Sequence, residues 1–588
     1  MLAVRIDAGG SLPNRRFRPA RIVRFVFCIG YFSPAARHSG AMSRADDTSQ
    51  PNSPEAHFAH WADHAARQTR QAHPGKSTLT VAAGITPSGV VHIGNFREVM
   101  TVDLVARALR DQGMEVRFIY SWDDFDVFRK VPAGVPQADM LEENLRRSVA
   151  DVPDPFGEQD SYASHFIAAF ESSLAPLGIE PEFIRQSRRY RGGDYAEGIR
   201  RALEDREALR EILNAHRTQP LDPDWLPLAG FCDACGRDEI VFSWPGEWSV
   251  VYSCRSCEQE ATVDLREGGN VKLPWRVDWP MRWCHEAVAF EPGGKDHSSA
   301  GGSYDTGREI VARVYQGEAP QYVAYDFVRV KGRGGKISSS TGEVITVDDC
   351  LAIYEPEMLR WIFASQRPGS EFQISFDLDV IKLYEDYDRA RRLAHEAEDG
   401  TKADKKRRIA RRTFELAAVE PVRIEPGTEL PSVPGFRGLS VVLQAYDGDI
   451  DRSQARFESM GEVKGEKEKA LFRQRAECCW RWIEEYAPEE FCYRLRTEAV
   501  SRSLTQDQST ALGRLVDVLR KEPEISEGAL IPKMKTLCDE TDLTLKTFCP
   551  VAYDLLVGRD HGPKLTTLLT TIGGERALPL LEASLGSE

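Results

Sequence analysis

The sequence predicts an α/β fold, a parallel-sheet domain split by a cysteine-bearing insertion and followed by an all-α region. Three observations predict it. A strand, helix, strand pattern runs from Thr78 to Ser121, two Cys-x-x-Cys pairs fall in a stretch of β-formers and turns, and helical periodicity dominates from about Glu371 onward.

The first element is the apolar run Thr78 to Ala83, which meets Gly84 and a turn holding Pro87 and Gly89. An amphipathic helix follows from about Phe96 to Arg110, and Gly113 stops it as a helix C-cap would. The β-rich run Glu115 to Ser121 comes next, completing the unit of a parallel sheet. Residues 132–217 are helical in pattern, and Phe231 to Val263 is rich in β-formers and turns, so this stretch reads as an insertion between two halves of a sheet. The segment Tyr322 to Val330 then reads as a strand leading into a basic glycine-flanked loop, Lys331 to Ser340. Beyond it, Leu383 to Ala397, Glu466 to Tyr486 and Ser509 to Lys521 read as helices, with the Pro-rich segment Pro421 to Pro434 as a connector.

A chain of 588 residues has room for several cores. Its 41% apolar and 28% charged residues are those of a water-exposed globular protein, and no apolar run approaches the roughly 18 residues of a membrane span. The net charge of -15 opposes indiscriminate binding to phosphate, so a nucleic-acid partner needs a local basic patch. Twelve cysteines, four of them in paired Cys-x-x-Cys motifs, point to a reducing, cytoplasmic setting and a metal site rather than a disulfide framework. Before Met42 the chain is rich in arginine (Arg15, Arg16, Arg18, Arg21 and Arg24) and Asp7 is its only acid. This start reads as an extension outside the fold or a start codon placed too early; a targeting segment is the competing reading.

Three motifs carry chemistry. Pro87-Ser88-Gly89-Val90-Val91-His92-Ile93-Gly94-Asn95 lies where a strand gives way to a helix, a position whose backbone amides and dipole favour anionic oxygens. Lys331-Gly332-Arg333-Gly334-Gly335-Lys336-Ile337-Ser338-Ser339-Ser340 is a flexible loop of cations and hydroxyls that could follow charge onto a departing pyrophosphate. Either loop alone is also an ordinary glycine turn or a solvated basic loop; together, each after a β-rich segment, they are harder to dismiss. Cys232, Cys235, Cys254 and Cys257 form C-x2-C-x18-C-x2-C, the spacing of a structural zinc ribbon.

His92-Ile93-Gly94-Asn95 resembles the HIGH signature, and Lys336-Ile337-Ser338-Ser339-Ser340 the KMSKS signature, of class I aminoacyl-tRNA synthetases. Gly84-Ile85-Thr86-Pro87-Ser88-Gly89, the run from Leu273 to Trp283, and Gly294-Lys295-Asp296-His297 are similar to the archaeal-type class I lysyl-tRNA synthetases, as is the ending with Gly562-Pro563-Lys564-Leu565 and Ile572-Gly573. Asn95 replaces the last histidine of the first signature, and Ser339 the second lysine of the second.

The resemblance implies a Rossmann-like catalytic domain with a zinc-ribbon-bearing insertion and an all-α anticodon-binding domain. Its boundaries would be an extension over 1–50, catalytic halves over 51–131 and 271–370, the insertion over 132–270 with the ribbon at 231–263, and the helical domain over 371–588. It implies activation of L-lysine by ATP with Mg²⁺ and transfer to tRNA(Lys). His92, Asn95, Lys336 and Ser338 would act on the phosphates. Pro87, Ser88, Gly89, Gly94, Gly294, Asp296, Ile337, Ser339 and Ser340 would complete the ATP site, with Lys331 and Arg333 as further cations toward pyrophosphate. Gly84, Thr86, Trp275 and His297 would lie at lysine or its adenylate.

Glu98 is the candidate partner of the ε-ammonium, since a buried cation needs a carboxylate; Asp123 and Asp124, at a strand's C-terminal end, compete. Trp275 reads either as a core aromatic at a strand start or as a wall for lysine's aliphatic stem. The basic run holding Lys402, Lys405, Lys406, Arg407, Arg408, Arg411 and Arg412 reads as a tRNA contact, with Lys405, Arg408 and Arg412 foremost, or as a solvated helix face. Phe372, Phe491 and Tyr493 are candidates for base stacking, or core. Rival readings are a glutamyl-tRNA synthetase and a non-catalytic tRNA-binding paralogue.

Overall fold

The computed structural model describes residues 59–331 and 344–585. The N-terminal extension expected over 1–50 and the loop cations Arg333 and Lys336 lie outside the described residues.

Helix α1 (Trp61–Ala72) starts where His60 Nδ1 accepts from the Ala62 amide at 3.2 Å. Strand β1 (Thr78–Ile85) follows, with Leu79 to Ala83 all buried. Helix α2 (Ile93–Asp111) begins earlier than apolar periodicity indicates, because its start is set by hydrogen-bonding side chains. It stops as expected: Gly113 takes a left-handed φ of 84°, and the Met114 amide donates back to Leu109 O at 3.1 Å. Strand β2 (Glu115–Trp122) pairs parallel with β1 along its whole length, Thr78 opposite Glu115 and Ile85 opposite Trp122.

The stretch read as wholly helical contributes one strand. β3 (Glu182–Arg185) pairs parallel with β2, Ile119 opposite Glu182. At four residues with only Ile184 buried, it carries no apolar alternation, and the neighbour's unpaired backbone groups make it a strand.

The cysteine insertion has a stem and a head. β4 (Ala229–Gly230) leads out to the antiparallel sheet of β5 (Ile240–Gly246), β6 (Ser249–Cys254) and β7 (Glu260–Asp264). β8 (Val271–Lys272) returns antiparallel to β4. Trp275 then opens a helix, Trp275–His285, rather than the strand expected there, with Val277, Asp278, Trp279, Met281 and Trp283 buried. Buried on nearly every side, its sequence lacks the alternation that tells helix from strand.

β9 (Val288–Phe290) completes the central parallel sheet in the order β3, β2, β1, β9. β10 (Gly293–Gly294) pairs with β11 (Ala324–Tyr325), and β12 (Val328–Val330) with β13 (Phe372–Ile374), both parallel. The strand expected over 322–330 is thus two, broken where the Asp326 carboxylate accepts from the Phe327 amide at 2.9 Å.

The remainder is helical, including Asp379–His395, Asp404–Ala417, Glu466–Glu485 and Gln506–Lys521, with neither helix nor strand over 421–434. One continuous core joins Val81, Phe96 and Phe118 of the sheet layer to Tyr384, Phe436 and Trp482, and a second gathers Leu512, Phe548 and Leu569. At the edge of the first, Arg475 is 1% exposed and pairs with Glu355 at 2.5 Å and Asp388 at 2.9 Å. Among the described residues no helix is long and apolar enough to cross a membrane.

Candidate active site

β1 and β2 both end at a cavity of about 780 Å³, where an open parallel sheet exposes the C-terminal ends of its strands. α2 points its N-terminus into this cavity. His92 is its N-cap: Nδ1 accepts from the Gly94 amide at 3.1 Å, while Asn95 Oδ1 accepts from the His92 amide at 3.1 Å. This reciprocal cap fixes both polar ends. With Nδ1 accepting, the neutral imidazole carries its proton on Nε2, and Asn95, its oxygen engaged, retains its NH₂ donors. Gly94 cannot be replaced without a shift, because a Cβ there would lie 2.9 Å from the His92 ring.

His92, Gly94, Asn95, Gly84, Thr86, Glu98, Trp275, Gly294, Asp296 and His297 all line the cavity. Sequence placed these residues in one site, and the fold brings them together. Pro87, Ser88 and Gly89 are not among its walls; they form the turn between β1 and α2, where Tyr162 Oη donates to the Ser88 carbonyl at 3.0 Å.

One end of the cavity is acidic. Glu98 accepts from the Gly84 amide at 2.9 Å and from Tyr325 Oη at 2.6 Å. Burial pushes its carboxyl up to about 7; the two hydrogen bonds oppose the rise, and nearby Glu291 and Asp123 add to it. Glu291 accepts from the indoles of Trp279 at 3.0 Å and Trp283 at 2.6 Å, and burial raises its carboxyl too. The two competitors of Glu98 are engaged. Asp123 pairs with Arg282 at 2.8 Å, and Asp124 accepts from the amide and hydroxyl of Ser187 at 2.8 and 2.7 Å. Trp275 is half-buried, stacked on Trp279 with ring centroids 5.4 Å apart and 5.3 Å from the His297 ring.

Of the second motif, Lys336, Ile337, Ser338, Ser339 and Ser340 lie outside the described residues. Their flanks adjoin the site: Val328 lines the cavity, and the Ile93 amide at the head of α2 donates to Ile345 O at 2.8 Å. Lys331, at the described edge of the loop, is exposed and pairs at the surface with Asp377 at 3.1 Å and with Asp379.

The four cysteine sulfurs lie within 4.8 Å of one another. Cys232 to Cys257 and Cys235 to Cys254 are both 3.6 Å apart, and β5 and β6 bring the pairs together by setting Ile240 opposite Cys254. Tetrahedral zinc with bonds of about 2.3 Å holds its sulfurs roughly 3.7 Å apart, whereas a disulfide needs about 2 Å. The thiols therefore fit the metal.

A family model described as "tRNA synthetases class I (K)" matches residues 59–420. Proteins named lysine–tRNA ligase match at 43% identity in Borreliella burgdorferi, 41% in Treponema pallidum and 38% in Pyrococcus furiosus, each over 88% of this chain and 98%, 97% and 98% of the relative. The chain belongs to the class I lysyl-tRNA synthetase family.

For a synthetase of this family, the helix Asp404–Ala417 is less available to tRNA than its sequence suggested. Arg412 is spent inside the protein, pairing with Asp63 at 2.6 Å and Asp111 at 2.8 Å with 12% of its side chain exposed. Arg411 pairs with Glu398 and Arg407 with Asp404. Lys405 and Arg408 are exposed, Arg408 beside Glu398 at 3.0 Å. The stacking candidates pack internally: Tyr493 donates to Val441 O at 2.6 Å, Phe491 lies against Trp482, and Phe372 lies under Arg97. Sequence reasoning also missed Asp126, Lys272, Tyr325 and Glu291 around the cavity. None sits in a motif, and only their convergence from different strands reveals them.

Proposed function

We propose that this chain is a lysine–tRNA ligase: it activates L-lysine with ATP to lysyl-adenylate, releasing pyrophosphate, and transfers lysine to the 3′ end of tRNA(Lys). The observation that carries the substrate is the buried acidic end of the cavity. Glu98, held by Gly84 and Tyr325, suits an ε-ammonium, and the half-buried Trp275 beside it suits the aliphatic stem.

In the first step lysine's α-carboxylate attacks the α-phosphorus of ATP; the bond from the α-phosphorus to the bridging oxygen breaks, and negative charge grows on that oxygen as it leaves with the β-phosphorus in pyrophosphate. Positioning and charge stabilisation do the work. His92 Nε2–H and the Asn95 amide donate to phosphate oxygens beside the N-terminus of α2, with Gly94 allowing close approach. Gly294 and Asp296 hold the ribose side, and Lys336 and Ser338 meet the leaving pyrophosphate, with Ile337, Ser339 and Ser340 completing their loop. Mg²⁺ enters with the triphosphate, mostly water- and phosphate-bound. Zinc on Cys232, Cys235, Cys254 and Cys257 has no open position, so it would hold the insertion rigid near the acceptor end. Lys405 and Arg408 remain the candidates for tRNA phosphates.

The test is lysine-dependent ATP–pyrophosphate exchange with purified chain, with glutamate as the alternative substrate. Lysine should support exchange and glutamate should not, because a glutamate side chain would meet the carboxylates of Glu98 and Glu291. His92→Ala and Lys336→Ala should each suppress exchange. Activation by glutamate alone would overturn the reading, and tRNA binding without any exchange would favour a non-catalytic paralogue.

A further inference from the structure

The end of β1 holds two carboxylates. Gly84 donates its amide to Glu98, and two residues on Thr86 donates its hydroxyl to Asp126 Oδ2 at 2.8 Å. Asp126 Oδ1 accepts at 2.7 Å from Lys272 Nζ, which also donates to the Phe125 carbonyl at 3.0 Å. Lys272 lies on β8, the returning strand of the insertion stem, and its side chain is 9% exposed while that of Asp126 is 30% exposed. Asp126, Thr86 and Lys272 all line the same cavity as Glu98.

The chemistry of this trio is specific. Burial alone would raise the Asp126 carboxyl, but Lys272 and the Thr86 hydroxyl outweigh it and hold it below the usual carboxylate range. Each Asp126 oxygen accepts one hydrogen bond and keeps lone-pair capacity, and Thr86 Oγ, having given its hydrogen away, can only accept. Asp126 and Thr86 therefore offer acceptors, while the Lys272 ammonium is directed to Asp126 and the Phe125 carbonyl. Gly84 is one of the last residues of β1 and Thr86 the first beyond it, so the two carboxylates they hold reach one cavity from the same strand end. Lysine has two ammonium groups, one at each end of its four-carbon chain, and only one of them is accounted for by Glu98.

We infer that Asp126 and Thr86, braced by Lys272, receive the α-ammonium of lysine, so that the substrate lies between two carboxylates gathered at the end of β1. This rests on the lysine reading above. Asp126 and Thr86 touch the substrate; Lys272 is a positioning residue acting through Asp126. The same contact explains why the insertion stem ends in a buried lysine: folding of the stem delivers the cation that keeps Asp126 ionised and oriented.

The test compares lysine with 6-aminohexanoate, which keeps the carboxylate and the distal ammonium but lacks the α-ammonium. In pyrophosphate exchange by the full chain, Asp126→Asn should raise the KM for lysine by about tenfold or more, the scale of a lost charge-assisted hydrogen bond. The inhibition constant of 6-aminohexanoate against lysine should stay within about twofold. The double variant Asp126→Asn/Lys272→Met removes both charges together, and Thr86→Ala removes only the hydroxyl, so the selective loss can be read where the single variant folds poorly; both should show it. Equal weakening of lysine and 6-aminohexanoate would assign the trio a purely structural role, and no weakening of either would remove it from the site; either result overturns the inference. If the unaltered chain gives no exchange with lysine, the failure belongs to the lysine reading instead.

Discussion

At the residue scale the most informative group is Glu98, because its chemistry and its placement disagree in a useful way. Its carboxyl is pushed up to about 7 by burial, yet an ε-ammonium requires it ionised. Below pH 7 lysine must first displace a proton, so affinity should fall about tenfold per pH unit of acidification and level off above pH 7, until lysine's own amine loses its charge near pH 10. The pH profile of kcat/KM for lysine measures this, and Glu98→Gln should lower affinity and flatten the slope; an unchanged slope would assign the titration elsewhere. At the other end of the site, His92→Ala removes one preorganised donor, and exchange should slow by roughly 100- to 1,000-fold. His92 was legible from sequence through the signature it resembles, whereas its role as the cap of α2 was not, because apolar periodicity starts the helix only at about Phe96. Glu98 was legible only as a candidate, since nothing in the chain announces Tyr325 or Glu291 as its neighbours.

The elements differ in what holds them. The cysteine end of the head is held by a small apolar cluster around Cys232, Tyr252 and Cys254, so a metal on the four thiols would supply much of its order there. Chelation, or Cys254→Ser, should release one zinc per chain by metal analysis and lower tRNA charging more than pyrophosphate exchange; an unchanged metal content would refute the assignment. The helix Asp404–Ala417 is held by charge instead. Arg412→Ala would leave Asp63, whose side chain is 8% exposed, without its cation. Such a loss should cost about 3–5 kcal/mol, visible as a lower melting temperature with exchange little altered at permissive temperature. A run of basic residues looks the same in sequence whether its charges face solvent or facing carboxylates, and Asp63 is remote in sequence from the run.

For the whole molecule, a net charge of -15 means that tRNA must be held by local cations against a repulsive background. Raising salt should therefore weaken tRNA charging steeply while lysine-dependent exchange changes little, measured as the KM for tRNA against ionic strength. A flat salt response would place the tRNA contact on neutral surface.

The chain's local order alone determined the β1, α2, β2 unit, the turn that carries His92, the four-cysteine spacing and the helical second half. Each depends on neighbours within a few residues: alternation, helical periodicity, a glycine stop, a knuckle. Tertiary structure alone decided that Glu182–Arg185 is a strand, that Trp275 begins a helix, that Arg412 is paired with the buried carboxylate of Asp63, and that Asp126 and Lys272 enter the cavity. The physical reason is the same throughout: burial and pairing are properties of surroundings assembled from distant segments, and the same residue is a ligand, a staple or a core side chain according to what the fold sets against it.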